Sequence, residues 1–134
     1  MKLARGAFLS ISLACATLAA AEEFDGSMPL TCTPSAGQDC QPTKACGKLK
    51  PESKGPIEMQ IDFANKTVKT PYRTTLLPIQ NSAMNEQQLI MQGTDLKFAW
   101  SAIVNRKTGA LTLAIADRVG AYVIFGKCKA AGSG

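Results

Sequence analysis

The clearest pattern of apolar and polar positions runs from residue 96 to residue 128, LKFAWSAIVNRKTGALTLAIADRVGAYVIFGKC. Leu96, Phe98, Trp100, Ala102 and Val104 alternate with Lys97, Ala99, Ser101, Ile103 and Asn105. A period of two sends successive side chains to opposite faces, so this run predicts a strand with one buried face. Asn105-Arg106-Lys107-Thr108-Gly109 predicts a turn, with a glycine able to adopt positive φ. Leu111, Leu113 and Ile115 then alternate with Ala110, Thr112 and Ala114. Asp117-Arg118-Val119-Gly120 turns the chain again. In the last run Tyr122, Ile124, Gly126 and Cys128 face one way, Val123 and Phe125 the other. The three runs predict an antiparallel meander that carries much of the core.

The upstream pattern is of the same kind. Residues 28–33, MPLTCT, predict a short first strand with Pro29 at its start or edge. Residues 34–56 hold four prolines and three glycines without periodicity. They predict a long loop with a single helical turn around residues 43–49. In residues 57–63, Ile57, Met59, Ile61 and Phe63 oppose Glu58, Gln60 and Asp62, a strand pattern whose partner starts at Thr67. Residues 72–79 predict a further strand, residues 80–87 a polar connection, and residues 88–93 a short strand before Gly93-Thr94-Asp95. Seven or eight short strands and no amphipathic helix predict an all-β fold. A small antiparallel meander β-barrel is favoured, with a β-sandwich as the alternative.

The first residues change the domain boundaries. Lys2 and Arg5 precede the apolar residues 7–16, and Leu18-Ala19-Ala20-Ala21 supplies small residues at a cleavage site. Residues 1–21 therefore read as a secretory signal, and residues 22–134 as a single β-domain, periplasmic or secreted. Ser12-Leu13-Ala14-Cys15 is a poor match to a lipoprotein box, which leaves anchorage through Cys15 as the minor alternative. No second apolar run of spanning length follows, so no transmembrane segment is expected after cleavage.

Charge excludes one class of partner. The chain has 15 Lys and Arg against 10 Asp and Glu, a formal net charge of +5. There is no arginine stripe or basic helix, so nucleic acid is not expected as a partner. The densest positive stretch holds Lys44, Lys48 and Lys50, a candidate partner-binding loop that ordinary solvation also explains.

Four cysteines remain beyond the signal: Cys32, Cys40, Cys46 and Cys128. An even number in a small exported domain predicts two disulfides. Cys32–Cys128 with Cys40–Cys46 is favoured, because closing the longer loop constrains the unfolded chain more. The main rival is Cys32–Cys46 with Cys40–Cys128. No His and no CxxC pair are present, so neither a metal site nor a cofactor is expected.

The candidate chemistry is thin. Without His, a Ser-His-Asp or Cys-His arrangement is impossible. Asp25, Asp95 and Asp117 sit in turn signals and Asp62 on a strand, so local backbone bonding explains them better than paired-carboxylate catalysis. Trp100, with Phe98 and Tyr122, either lines a ligand pocket inside the barrel or fills the core, the latter beside Phe125. Arg73, Lys97, Arg106 and Lys107 are further candidates for a protein-binding surface. These features predict a monomeric, non-enzymatic binding or envelope-accessory protein, with protein inhibition by the stapled 40–46 loop as one mode. The alternatives are a carrier of a small apolar ligand and a carboxylate-dependent hydrolase.

FDGSMPLTC at residues 24–32, IDF at 61–63, Trp100-Ser101 followed by Thr108-Gly109, and FGKC at 125–128 carry a resemblance. They resemble a group of small exported, disulfide-bonded β-domain proteins of Gram-negative bacteria with no assigned function. The resemblance implies a periplasmic β-domain and transfers no catalytic residue. A looser similarity, in class and size only, is to periplasmic lysozyme inhibitors, whose inhibitory loop motif is not found in this chain.

Overall fold

The computed structural model describes residues 24–52 and 54–132. The predicted signal, including Cys15, lies outside them. Ten strands form: β1 (Leu30–Cys40), β2 (Gly47–Lys48), β3 (Met59–Asp62), β4 (Thr67–Lys69), β5 (Leu77–Pro78), β6 (Asn81–Met84), β7 (Gln88–Asp95), β8 (Phe98–Asn105), β9 (Ala110–Asp117) and β10 (Gly120–Ala130). No helix among the described residues is long and apolar enough to cross a membrane.

Bonded neighbours run β5-β4-β3-β1-β10-β9-β8-β7-β6, with β2 on β1. The two ends of this order are halves of one segment, since only Ile79 and Gln80 separate β5 from β6. Ile79 donates its N–H to the Lys66 carbonyl at the start of β4 (2.8 Å), and Gln80 donates to the Gln92 carbonyl of β7 (2.9 Å). Residues 77–84 thus bond both edges, and the curled antiparallel sheet returns on itself. From β3 to β5 and from β6 to β10, strands consecutive in the chain are neighbours, and β1 lies between β10 and β3. The curled half-barrel so formed leaves less unpaired edge than a flat open sheet of this apolar character would expose.

The core follows from the alternation. Along β8, Phe98, Trp100, Ala102 and Val104 are buried while Ala99, Ile103 and Asn105 are exposed. Leu111, Leu113 and Ile115 of β9, Leu89 and Met91 of β7, and Ile124 of β10 meet them inside. Met59, Ile61, Val68 and Leu77 fill the other half. The seam between residues 77–84 and β7 has its own device. Trp100 Nε1–H donates to the Pro78 carbonyl (3.0 Å), and Gly93 lies against the same carbonyl. A Cβ on Gly93 would sit 1.8 Å from that oxygen, so only glycine permits the approach.

The disulfides are Cys32–Cys128 and Cys40–Cys46. Cys32 and Cys128 are register partners on β1 and β10, so their bond joins the first strand to the last. The rival pairing is thereby excluded. Two disulfides belong to an oxidising, extracytoplasmic setting.

Several element boundaries depart from the sequence pattern. β1 runs on to Cys40, through the first third of what the pattern assigns to a loop. A register shift between Pro34 and Ala36 absorbs the proline, and β10 supplies the pairing that the polar sequence does not advertise. The 43–49 helical turn is absent: β2 pairs with β1 and forms a hairpin stapled by Cys40–Cys46. Residues 72–76 are loop rather than strand, because Thr70 Oγ1 accepts the Tyr72 N–H (2.9 Å) and turns the chain. Asn81–Met84, part of the expected polar connection, is a strand bonded to β7. Leu96 stands at a turn, fully exposed, and Phe125 points outward rather than joining Trp100 in the core.

Candidate functional site

Strand direction sorts the loops. β1, β4, β7 and β9 run toward one end of the barrel, and β3, β5, β8 and β10 start from it. That end carries the connections 41–46, 49–58, 70–76, 96–97 and 118–119, and is called the loop end below. The opposite end carries 63–66, 85–87 and 106–109, together with Phe24, whose N–H donates to the Arg106 carbonyl (3.3 Å).

The cations divide accordingly. Lys44, Lys48, Lys50, Arg73, Lys97 and Arg118 belong to the loop end, and Arg106 and Lys107 to the other. Arg106 is engaged there, donating from Nη1 to the Asn85 carbonyl (2.6 Å). Arg73, Leu96, Lys97, Asp117, Arg118 and Val119 surround an open hollow of about 600 Å³. A second hollow of about 370 Å³ shares Arg73 and includes Leu76 and Lys69.

Each cation of the larger hollow is positioned by local chemistry. The Thr70–Tyr72 bond turns Tyr72 inward and brings Arg73 across the Phe98 ring, its guanidinium carbon 4.2 Å from the ring centroid. Arg73 Nε is buried there with no hydrogen-bond partner among the described residues. Asp95 Oδ1 accepts the Lys97 N–H (3.3 Å) and shapes that turn. Asp117 Oδ1 accepts the N–H groups of Val119 (2.9 Å) and Gly120 (3.0 Å). Gly120 lies against the Cys40 carbonyl, where a Cβ would come within 2.2 Å, so the Arg118 turn sits beside the stapled hairpin. The two aspartates therefore face their own turns, and none of Arg73, Lys97 and Arg118 forms an ion pair among the described residues.

Other sequence candidates lie elsewhere. Trp100 and Phe98 are within the packed interior, and Tyr122 packs half-buried against it. The Trp100 indole also borders an open groove of about 390 Å³ along the seam, lined by Gln92, Ala99 and Ser101 among others. The carboxylates are engaged locally. Hydrogen bonds from Ser27 hold Asp25 below the usual carboxylate range, and bonds from Asn65 do the same for Asp62. Burial pushes the Tyr72 phenol up. Among the described residues no group of three or more Cys, Asp or Glu is placed to hold a metal ion.

The flank of the barrel contrasts with its end. Ala83, Ile90, Ile103, Thr112 and Phe125 form one outward row across β6 to β10, and Asn81, Gln92, Ser101, Ala114 and Val123 the next. Neither row carries a charge. The sequence reading groups Arg73 and Lys97 with Arg106 and Lys107, which lie at the opposite end, and leaves out Arg118. The observed grouping depends on which loops the curled sheet brings to one end. No protein family, curated protein or solved structure matches the chain.

Proposed function

We propose that this is a non-enzymatic extracytoplasmic binding module, monomeric and periplasmic or secreted, that engages an anionic partner through its loop end. The observation that carries the reading is the convergence of Arg73, Lys97 and Arg118 from three separate loops on one hollow, none of them ion-paired with a carboxylate among the described residues. Unneutralised cations in a concave site attract and orient an anionic partner. The packed interior, with the Trp100 indole bonded to Pro78, supports binding outside the barrel rather than within it. The lack of His, the four cysteines in disulfides and the locally bonded Asp25 and Asp62 support a role without catalysis.

Photo-crosslinking in the intact envelope tests the reading. A photoreactive residue replacing Lys97 or Arg118 forms an adduct, and one replacing Lys107 at the opposite end does not. Adducts only at position 107, or none at 97 and 118, overturn it.

A further inference from the structure

The loop end presents more than charge. Three neighbouring loops each project an exposed aliphatic residue beside a cation: Leu76 with Arg73, Leu96 with Lys97, and Val119 with Arg118. Leu76 is 53% exposed, Val119 59%, and Leu96 fully so. A strand pattern does not require apolar residues at these turns, and none of the three reaches the core.

The chemistry separates two kinds of anionic partner. Protein interfaces concentrate aromatic residues and arginine at a buried centre and are depleted in lysine. Here no aromatic residue lines the hollow among the described residues, Phe98 lies buried beneath Arg73, and the aliphatics stand apart on separate turns. Separate aliphatic tips ringed by cations match a soft surface instead. The tips enter the boundary between headgroups and acyl chains, and the cations meet the phosphates.

We propose that the loop end docks on an anionic phospholipid bilayer, with Leu76, Leu96 and Val119 inserted and Arg73, Lys97 and Arg118 at the headgroup phosphates. This rests on the reading that the loop end is the binding surface. The uncharged flank lies along the barrel and stays off the bilayer in this orientation.

Co-sedimentation of the processed, exported protein with vesicles is the test. Vesicles mixing phosphatidylglycerol and phosphatidylcholine bind the protein, and pure phosphatidylcholine vesicles do not. Each cation near an anionic surface contributes about fivefold, so Lys97→Gln with Arg118→Gln lowers binding about thirtyfold. Leu96→Ser with Val119→Ser also lowers it, by about tenfold or more, through lost apolar insertion. Both pairs lie on exposed turn tips, so unchanged thermal unfolding confirms that the fold is intact. Phe125→Ser, on the flank, leaves binding unchanged. Equal binding to both vesicle types, or a double charge variant within about twofold of the parent, overturns the proposal. Protein adducts at positions 97 and 118 without vesicle binding overturn bilayer docking and leave the binding reading standing. Absence of any adduct there removes both.

Discussion

Gly93→Ala attacks the seam that closes the barrel. The new Cβ would lie 1.8 Å from the Pro78 carbonyl oxygen and 2.6 Å from Trp100 Nε1, where ordinary contact begins at 3.4 Å. Residues 77–84 must therefore retreat from β7 by about 1.6 Å. That retreat breaks the 3.0 Å hydrogen bond from the indole to Pro78. Overpacking costs ~1–3 kcal/mol and an unpaired buried polar group a further ~1–3 kcal/mol. A loss of about 4 kcal/mol is a large part of the ~5–15 kcal/mol that holds a domain of this size together. The midpoint of thermal unfolding falls by about 15–30 °C. The assay is thermal unfolding followed by the fluorescence of Trp100, the only tryptophan, which itself sits at the seam. Gly55→Ala, where nothing lies within 4 Å of the added carbon, is the control and melts like the parent. Trp100→Phe, followed by circular dichroism because no tryptophan remains, removes the donor with part of the ring and costs about 1–3 kcal/mol. Combined with Gly93→Ala it costs less than the sum, because both act on one bond. A Gly93→Ala melt within about 3 °C of the parent would refute closure through residues 77–84.

Two further outcomes follow from the same geometry. Replacing Cys32 and Cys128 by alanine removes the cross-link that closes a 96-residue separation and costs about 4–5 kcal/mol. Replacing Cys40 and Cys46, six residues apart, costs about 2 kcal/mol, both measurable by denaturant unfolding. Asp62 is held below its ordinary value of 3.8 by Asn65, so its contribution to stability is fully present above 3.8 and is lost as pH falls through its lowered folded value. Asp62→Ala is accordingly less stable than the parent at neutral pH, and the difference disappears in acid.

The sheet was legible where one face is buried and the other is not. β8 and β9 keep strict alternation because the interior selects every second residue. The second half of β1, with Ser35, Gln38 and Asp39, has no apolar period, and its strand state comes from pairing with β10. β6 is exposed along its whole length, so only its bonds to β7 define it. Leu96 continued the period of two by one residue too many, and only the turn at Asp95 reveals it as a tip. Tyr72 and Leu77 are both buried, yet the loop between them is anchored through Thr70, a contact that periodicity does not encode. The cationic end shows the same division. Lys44, Lys48 and Lys50 are visible as a cluster because they are close in the chain. Arg73, Lys97 and Arg118 are drawn together by three-dimensional closure, and Arg106 and Lys107, similar in sequence character, are carried to the opposite end.

The central claim, that the loop end is the working surface, is tested most directly by amide hydrogen exchange of the processed protein with and without anionic vesicles. Slower exchange confined to residues 70–76, 95–97 and 117–120 is the predicted footprint. Slower exchange at 63–66, 85–87 and 106–109, or along the β8–β9 flank, with the loop end unchanged, would contradict it.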